Sequence, residues 1–151
     1  MEGEGLTGGR GSLARLETEE EREDIATELN ALAQIVVDVG FHLHQAVGPG
    51  LLEKVYGKLL AYDLREMGLR VQMEVPLSIR YKGLSIDKAY YLDLLVNEKL
   101  PVEIKAVEAN HPVHAAQLLT YLKCGDYRLG LLMNFGMKYY RKGVKRVVNG
   151  L

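Results

Sequence analysis

The sequence predicts an α/β (α+β) protein in which a mixed sheet of about four strands is flanked by helices. Two observations predict this class. Apolar residues recur every three or four positions up to about residue 67, as in helices, and they alternate with polar residues from residue 71, as in strands. A crossover helix then separates the third strand from the last. The chain has 151 residues, 48% of them hydrophobic, which suits one domain with its own core.

The first 24 residues differ in composition from the rest. They are rich in glycine and carry an acidic run, so we expect a flexible tail over residues 1–24 and a folded domain over residues 25–151. The tail holds eight acidic and three basic side chains, whereas the folded part holds 12 acidic and 16 basic ones. The folded part is therefore mildly basic, which is weak support for a nucleic-acid partner.

Two helices are predicted before the sheet. An apolar stripe begins at Ile25 and ends before the sequence Gly48-Pro49-Gly50. A second helix is expected from Leu51 to Met67, with Gly68 ending it.

The strands follow. Alternation predicts a strand over residues 71–80, a turn at residues 81–83, and a second strand that carries Asp93. Pro76 indicates that the first of these is an edge strand or contains a bulge. After the strand that carries Glu103, a helix is expected from His111-Pro112 to about Lys123 and a buried strand over residues 129–135. A final pair of short segments surrounds Gly143.

Charged residues interrupt two of the apolar strands. Asp93 lies within the run YLDLLV, and Glu103 and Lys105 lie within PVEIKAV. Burying such groups costs several kcal/mol unless partners or a metal compensate, so a functional explanation is the first to test. The alternative is a half-exposed pair of Glu103 and Lys105 beside a hydrogen-bonded Asp93.

The register of the hairpin decides whether these charges meet. A turn centred on Glu98 places Asp93 opposite Glu103 and Tyr91 opposite Lys105, with Asp93, Glu103 and Lys105 on one face. The two carboxylates would repel unless a cation lay between them. A shorter turn would instead place Asp93 opposite Val102 and scatter the cluster over both faces.

A wider pattern resembles a known family. The segment Gly50-Leu51-Leu52-Glu53-Lys54-Val55-Tyr56 matches the pattern that names the GxxExxY protein family. Asp93 with Glu103-Ile104-Lys105 is similar to the metal-site motif of the PD-(D/E)XK nuclease superfamily, to which that family is assigned. Residues 113–123, 129–135 and 143–151 are also similar to family segments, so the resemblance covers about residues 25–151.

The resemblance implies a restriction-endonuclease-like core of αβββαβ order with an extra N-terminal helix. It implies that Asp93 and Glu103 bind Mg²⁺ or Mn²⁺, that Glu53 is an additional acidic residue of the metal site, and that Lys105 orients or deprotonates the attacking water. Gln117 would lie near the metal or its water. The implied reaction is hydrolysis of phosphodiester bonds in DNA or RNA.

Three further residues are expected to support the site or to contact substrate. Tyr56 would brace Glu53 or touch substrate, and His114 would pack near the acidic cluster. Tyr91 stands where members of the family often have an arginine, and it supplies a hydrogen bond and a stacking surface but no charge.

The sequence leaves three functions open: a metal-dependent nuclease, a nucleic-acid-binding module of the same fold without turnover, and a structural homo-oligomer, a dimer or larger. Basic residues that would meet phosphates crowd the C-terminal segment: Lys138, Arg141, Lys142, Lys145 and Arg146. Tyrosines near them would stack on bases or pack in the core. With a single cysteine, Cys124, and no signal-peptide pattern or membrane span, we expect a cytoplasmic protein.

Overall fold

A five-stranded sheet with helices on both faces forms the structure, a computed structural model that describes Gly5 and residues 16–151. In chain order the elements are α1 (Glu19–Val47), α2 (Glu53–Glu66), β1 (Val71–Tyr81), β2 (Leu84–Val96), β3 (Leu100–Lys105), α3 (Pro112–Gly125), β4 (Leu129–Asn134), the single turn α4 (Tyr140–Gly143) and β5 (Val144–Val148). Within the described chain, no helix is both long enough and apolar enough to cross a membrane.

The strands lie in the order β1-β2-β3-β4-β5. Strands β3 and β4 run parallel, because α3 carries the chain back across the sheet, and the other neighbours are antiparallel. The mixed α/β class and the edge position of the strand that contains Pro76 are therefore confirmed. The sheet has one strand more than the four expected, because the segment after Gly143 pairs with β4 as β5.

The first helix begins at Glu19, six residues before the predicted start, so part of the predicted tail is helical. The hydroxyl of Thr18 accepts a hydrogen bond from the backbone N–H of Glu21, and the Glu21 carboxylate accepts one from the N–H of Thr18. This capping box satisfies donors that a helix start leaves free, and three glutamates in the first turn favour the helix dipole. Residues 1–4 and 6–15 of the predicted tail lie outside the described residues.

Two apolar clusters lie on opposite faces of the sheet. The larger joins α1 and α2 to the sheet, with Leu32, Val36 and Leu60 among its members. The smaller joins α3 to the other face through Leu118 and Leu122. Helix α1 therefore buries the stripe that its apolar spacing predicted.

A tyrosine fixes the turn between α1 and α2. Tyr56 is fully buried; its hydroxyl donates to the Gly48 carbonyl at 2.5 Å and accepts from the Leu51 N–H at 3.2 Å. Gly50 in this turn has a φ of +119°, which side chains other than glycine rarely adopt. Helix α2 starts at Glu53, two residues later than predicted. The turn that contains Gly50 therefore determines where the helix begins.

The hairpin between β2 and β3 has the predicted register. Leu94 pairs with Val102 and Val96 pairs with Leu100, as a turn centred on Glu98 requires. The turn is tied to the start of β1, because Arg70 and Asn97 exchange two hydrogen bonds, 2.8 Å and 2.9 Å long. The register that brings Asp93 to the level of Glu103 is therefore confirmed.

The outer ladder is kinked where it passes Asp93. Met73 pairs with Leu94, but Glu74 has a φ of +52° and the pairing resumes only at Val75. Met73 and Leu94 pack on the side of α1 and α2, whereas Val75 and its partner Leu92 pack on the side of α3. The strict alternation expected for this strand is thus broken at Asp93, although the register of the pairing does not change there. The register shift of this ladder lies farther along β1, after Leu77.

Tyr56→Phe keeps the ring but removes the hydroxyl, and so leaves the Gly48 carbonyl and the Leu51 N–H without this partner. We expect the free energy of unfolding in urea to fall by about 1–2 kcal/mol. The matched control is Tyr62→Phe on the same helix, where the side chain is 63% exposed; its change should stay within about 0.5 kcal/mol. Equal stability of the two variants would contradict the role given to the hydroxyl.

Candidate active site

Two carboxylates continue the hydrogen bonding between β2 and β3 where the backbone ladder ends. The ladder runs from Val96–Leu100 to Leu94–Val102. Beyond it, the Asp93 carboxylate accepts a hydrogen bond from the backbone N–H of Ile104 at 2.8 Å, and the Glu103 carboxylate accepts one from the N–H of Asp93 at 3.0 Å. Each side chain therefore bonds the backbone of the opposite strand, and both lie in the gap between the strands.

This arrangement differs from the predicted cluster on one face of the sheet. The sequence pattern placed Asp93, Glu103 and Lys105 together by alternation alone. In the structure the two carboxylates turn into the strand gap because buried backbone N–H groups need acceptors there. The acidic pair is brought together as expected, and Lys105 at the end of β3 is near enough for its charge to act on Glu103, although its ion pair is with Glu53.

Burial and the neighbouring acid change the protonation of Glu103. This residue is 7% exposed, and removal from water, followed by the charge of Asp93, raises its pKa to about 8. The hydrogen bond from the Asp93 N–H and the positive charge of Lys105 act in the opposite direction but are weaker. A proton or a cation is therefore needed between the two carboxyl groups near neutral pH.

A cavity of about 300 Å³ opens between α2 and the kinked strands. Its wall holds three acidic side chains, Glu53, Glu74 and Asp93, and two lysines, Lys54 and Lys58. Sequence reasoning did not single out Glu74, Lys54 or Lys58. The two lysines are four residues apart on α2, and this spacing could have predicted that they share one face of the helix.

Lys105 and Glu53 meet at the mouth of the site. The Lys105 ammonium lies 4.0 Å from the Glu53 carboxylate, and the two side chains are 22% and 48% exposed. Glu53 is the first residue of α2, so the turn fixed by Tyr56 decides where its carboxylate lies. The structure thus brings Glu53 to Lys105, and both border the acidic pair.

One face of α3 looks toward these residues. Partial burial, and then the positive charge of Lys105, lowers the pKa of His114. Burial, and then the charge of Glu103, raises the pKa of Tyr121. Gln117 is exposed and lies between them on the same helix face, since positions 114, 117 and 121 are three and seven residues apart. His114 therefore borders the site from the α3 side, and Gln117 shares its helix face.

The two predicted tyrosines take different positions. The Tyr56 ring stacks on Phe135 with centroids 4.8 Å apart, and its hydroxyl bonds the turn that precedes Glu53. Tyr91 is 51% exposed and pairs with Pro76 of β1, and the ladder of β2 with β3 ends before it reaches Lys105. Tyr56 is thus buried and holds the turn before Glu53, whereas Tyr91 is half exposed beside the site.

A buried asparagine links the site to the C-terminal segment. Asn134 is 2% exposed; its side-chain oxygen accepts from the N–H groups of Val107 and Gly136, and its amide donates to Asn110. Asn110 in turn donates to the Lys142 carbonyl. The sequence predicted a buried strand over residues 129–135 but did not identify Asn134 as a candidate functional residue.

The donor set fits a hard divalent cation such as Mg²⁺ or Mn²⁺. Two carboxylates meet in the gap, and the carbonyl of Ile104 points to the same side of β3 as its N–H, which Asp93 binds. Across Gly5 and residues 16–151, no group of three His, Cys, Asp or Glu side chains is placed to hold a metal ion. Mg²⁺ keeps several of its waters, so one or two carboxylates suffice to bind it.

Glu103→Gln should stabilise the metal-free protein at pH 8. Because folding raises the pKa of Glu103 from 4.5 to about 8, the folded state holds a proton that the unfolded state has lost in this range. Stability therefore falls as pH rises through this window. The amide of the variant would keep the acceptor and remove the charge, so we expect a gain of about 1–3 kcal/mol at pH 8 and little gain below pH 4.5. Urea unfolding in EDTA measures this, and an equal effect at both pH values would contradict it.

Comparison with known proteins assigns the fold to a family. A family model described as the PD-(D/E)XK nuclease superfamily matches residues 30–147, from within α1 to β5. Searches of curated proteins and of solved structures found no match. The resemblance to the GxxExxY family stays a prediction, because the match is to the superfamily. The matched range spans well over half of the chain and contains Glu53, Asp93, Glu103 and Lys105. The chain therefore belongs to the PD-(D/E)XK nuclease superfamily.

Proposed function

We propose that this protein is a metal-dependent nuclease that hydrolyses phosphodiester bonds in nucleic acid. The observation that carries the proposal is the meeting of the Asp93 and Glu103 carboxylates in the strand gap, beside a cavity and next to Lys105. Two buried acids side by side cost stability unless a proton or a cation compensates their charge. Their oxygens suit a divalent cation, so we infer that binding one is the reason the pair is present. Membership of a nuclease superfamily supports the same conclusion.

The cavity provides room and charge for a phosphodiester. Lys54 and Lys58 lie on the wall that also holds Asp93, so they would contact the phosphate oxygens on either side of the bond to be cleaved. Glu74, on the same wall, would keep the phosphate away from the outer strand by repulsion. The substrate would therefore enter between α2 and the kink in β1 and β2.

Asp93 and Glu103 would hold the metal, with the Ile104 carbonyl as a third oxygen. A bound Mg²⁺ or Mn²⁺ would supply an activated water and offset the charge that develops on the phosphate. Lys105 would orient that water and donate to a phosphate oxygen, while Glu53 would fix the position of the lysine and help to hold the metal through a water. From α3, Gln117 would hold a second water, and His114 would hold the substrate in place.

A binding module without turnover is the second candidate. The observation that favours it is Tyr91, which is half exposed near the site and offers a stacking surface but no charge. Salt-dependent binding of DNA or RNA, without cleavage in Mg²⁺ or Mn²⁺, would favour this candidate over the nuclease.

Asp93→Asn should abolish cleavage while the fold is kept. We expect the rate to fall about 100-fold or more, because the amide is a poor ligand for a hard cation and cannot replace the lost charge. Cleavage of labelled single-stranded DNA, duplex DNA and RNA is measured in Mg²⁺, in Mn²⁺ and in EDTA.

The matched control is Asp87→Asn, an exposed carboxylate on the same strand. It should keep the wild-type rate within about twofold, as a surface change away from the site. Wild-type protein that cleaves none of the substrates, or an Asp93→Asn variant that cleaves as fast as the control, would refute the nuclease proposal.

Binding of Mn²⁺ at pH 7 should release about one proton. Below its pKa of about 8, Glu103 carries a proton that must leave before the carboxylate binds a metal. Affinity should therefore rise with pH up to about 8 and then level off. Titration calorimetry in PIPES and in HEPES, which differ in ionisation enthalpy, counts the protons.

Asp87→Asn should keep the proton release, and Glu103→Gln should lose it. Identical binding enthalpies in the two buffers would show that Glu103 is already ionised or is not a ligand.

Nucleic acid is the partner that this proposal implies. The homo-oligomer and the cytoplasmic location stay predictions from the sequence. For self-association, the hairpin of β1 and β2 offers a surface, since Tyr81, Leu84 and Ile86 are each about half exposed near its tip.

A further inference from the structure

We propose that Tyr139, together with Lys138 and Lys142, is a binding site for single-stranded nucleic acid beside the active site. A base of an unpaired strand would stack on the Tyr139 ring, and the two ammonium groups would contact the phosphates on either side of that base. The proposal rests on the proposed function for the kind of ligand, and it adds that the ligand is bound as a single strand.

Two neighbouring tyrosines take opposite environments. The Tyr140 side chain is 5% exposed and its hydroxyl donates to the Val37 carbonyl at 2.7 Å, so it fastens α4 to α1. Tyr139 is 59% exposed. The buried Tyr140 ring therefore anchors the backbone, while the Tyr139 ring faces solvent.

Cations surround the exposed ring. The ammonium groups of Lys138 and Lys142 lie 5.4 Å and 5.3 Å from its centroid. An exposed cation–π contact is weaker than the stacking of a base on an aromatic ring, so a base can displace a lysine from the ring face. The displaced lysine, on its flexible stem, is then free to contact phosphate.

The charge of this segment is unbalanced. The sequence has no acidic residue after Asp126, whereas five basic residues lie between positions 138 and 146. Within the part of the chain that the structure describes, no carboxylate lies within ion-pair distance of Lys138, Arg141, Lys142 or Lys145, although Lys105 and Arg128 both have acidic partners. Asp38 lines a groove together with Arg141 and Lys145, without an ion pair to either. A polyanion is the ligand that complements this surface.

The segment lies at the same end of the sheet as the active site. Lys105 and Asn134 are paired at the ends of β3 and β4, and the Phe135 N–H donates to the Lys105 carbonyl at 2.8 Å. Asn110, which binds Asn134, also donates to the Lys142 carbonyl. A strand that leaves the site past Lys105 would therefore reach the Tyr139 ring.

The ligand is inferred to be unpaired because of how a base meets a ring. Stacking needs a free base face, and in a duplex the faces are covered by neighbouring base pairs. The ring between Lys138 and Lys142 therefore favours a single strand over a duplex.

Fluorescence anisotropy with a labelled oligothymidine of about 20 nucleotides, and with a duplex of the same length, tests the proposal. EDTA in the buffer prevents cleavage, so binding is measured separately from turnover. We expect wild-type protein to prefer the single strand, Tyr139→Ala to weaken that binding about 5- to 100-fold, and Tyr139→Phe to restore it. The matched control is Tyr62→Ala, which removes a ring of similar exposure, 63%, on α2 and should change binding less than about twofold.

A salt series separates the lysines from the ring. Lys142→Ala should reduce the slope of log affinity against log salt by about 0.7, while Tyr139→Ala leaves the slope unchanged. Lys123→Ala, an exposed lysine at the far end of α3, is the charge control and should not change the slope.

Preference for the duplex, absence of binding by the wild type, or wild-type affinity of Tyr139→Ala would each overturn the proposal. Tight binding that Tyr139→Ala weakens, without any cleavage in Mg²⁺ or Mn²⁺, would support this site and refute the nuclease proposal instead.

Discussion

The site depends on the need of buried backbone N–H groups for an acceptor. Between β2 and β3 the backbone pairing ends at Leu94 and Val102. Beyond it, the N–H of Ile104 donates to the Asp93 carboxylate and the N–H of Asp93 donates to the Glu103 carboxylate. An unsatisfied N–H at this depth would cost about 1–3 kcal/mol. The two acids therefore complete the sheet, and the same atoms that could bind a cation also join the strands.

This arrangement brings two negative charges close together in a place with little water. The burial and the nearby charge of Asp93 that raise the pKa of Glu103 also prepare the pair for a cation, which can take the place of the proton on Glu103. Farther out, the position of Lys105 depends on Glu53, and the position of Glu53 depends on the turn that Tyr56 fastens. The three residues of one short motif thus have different roles: Gly50 forms the turn, Glu53 forms the ion pair with Lys105, and Tyr56 anchors the turn.

Much of the fold could be predicted because it follows from local patterns. Apolar spacing located both core-facing helices, and the turn at Glu98 gave the register that aligns Asp93 with Glu103. The positive φ of Glu74 could not be predicted, because a glutamate in this conformation leaves no signature in the sequence, and so alternation was expected to continue along the whole strand. The helical start at Glu19 was missed because an acidic run resembles a tail until its capping box is recognised. The approach of Lys54, Lys58 and Glu53 to the strands arises from tertiary packing, which the spacing within one helix does not specify.

The turn between β2 and β3 has a consequence for how this protein can change in evolution. Surface turns usually tolerate insertions and deletions, and the exposed tip between Tyr81 and Leu84 should do so. The turn at residues 97–99 is also on the surface, yet it is bonded to Arg70 and sets the register of the acidic pair. Gain or loss of one residue there would turn every following side chain of β3 to the other face. Relatives that keep the chemistry should therefore vary freely in the length of the first hairpin and hardly at all in the second.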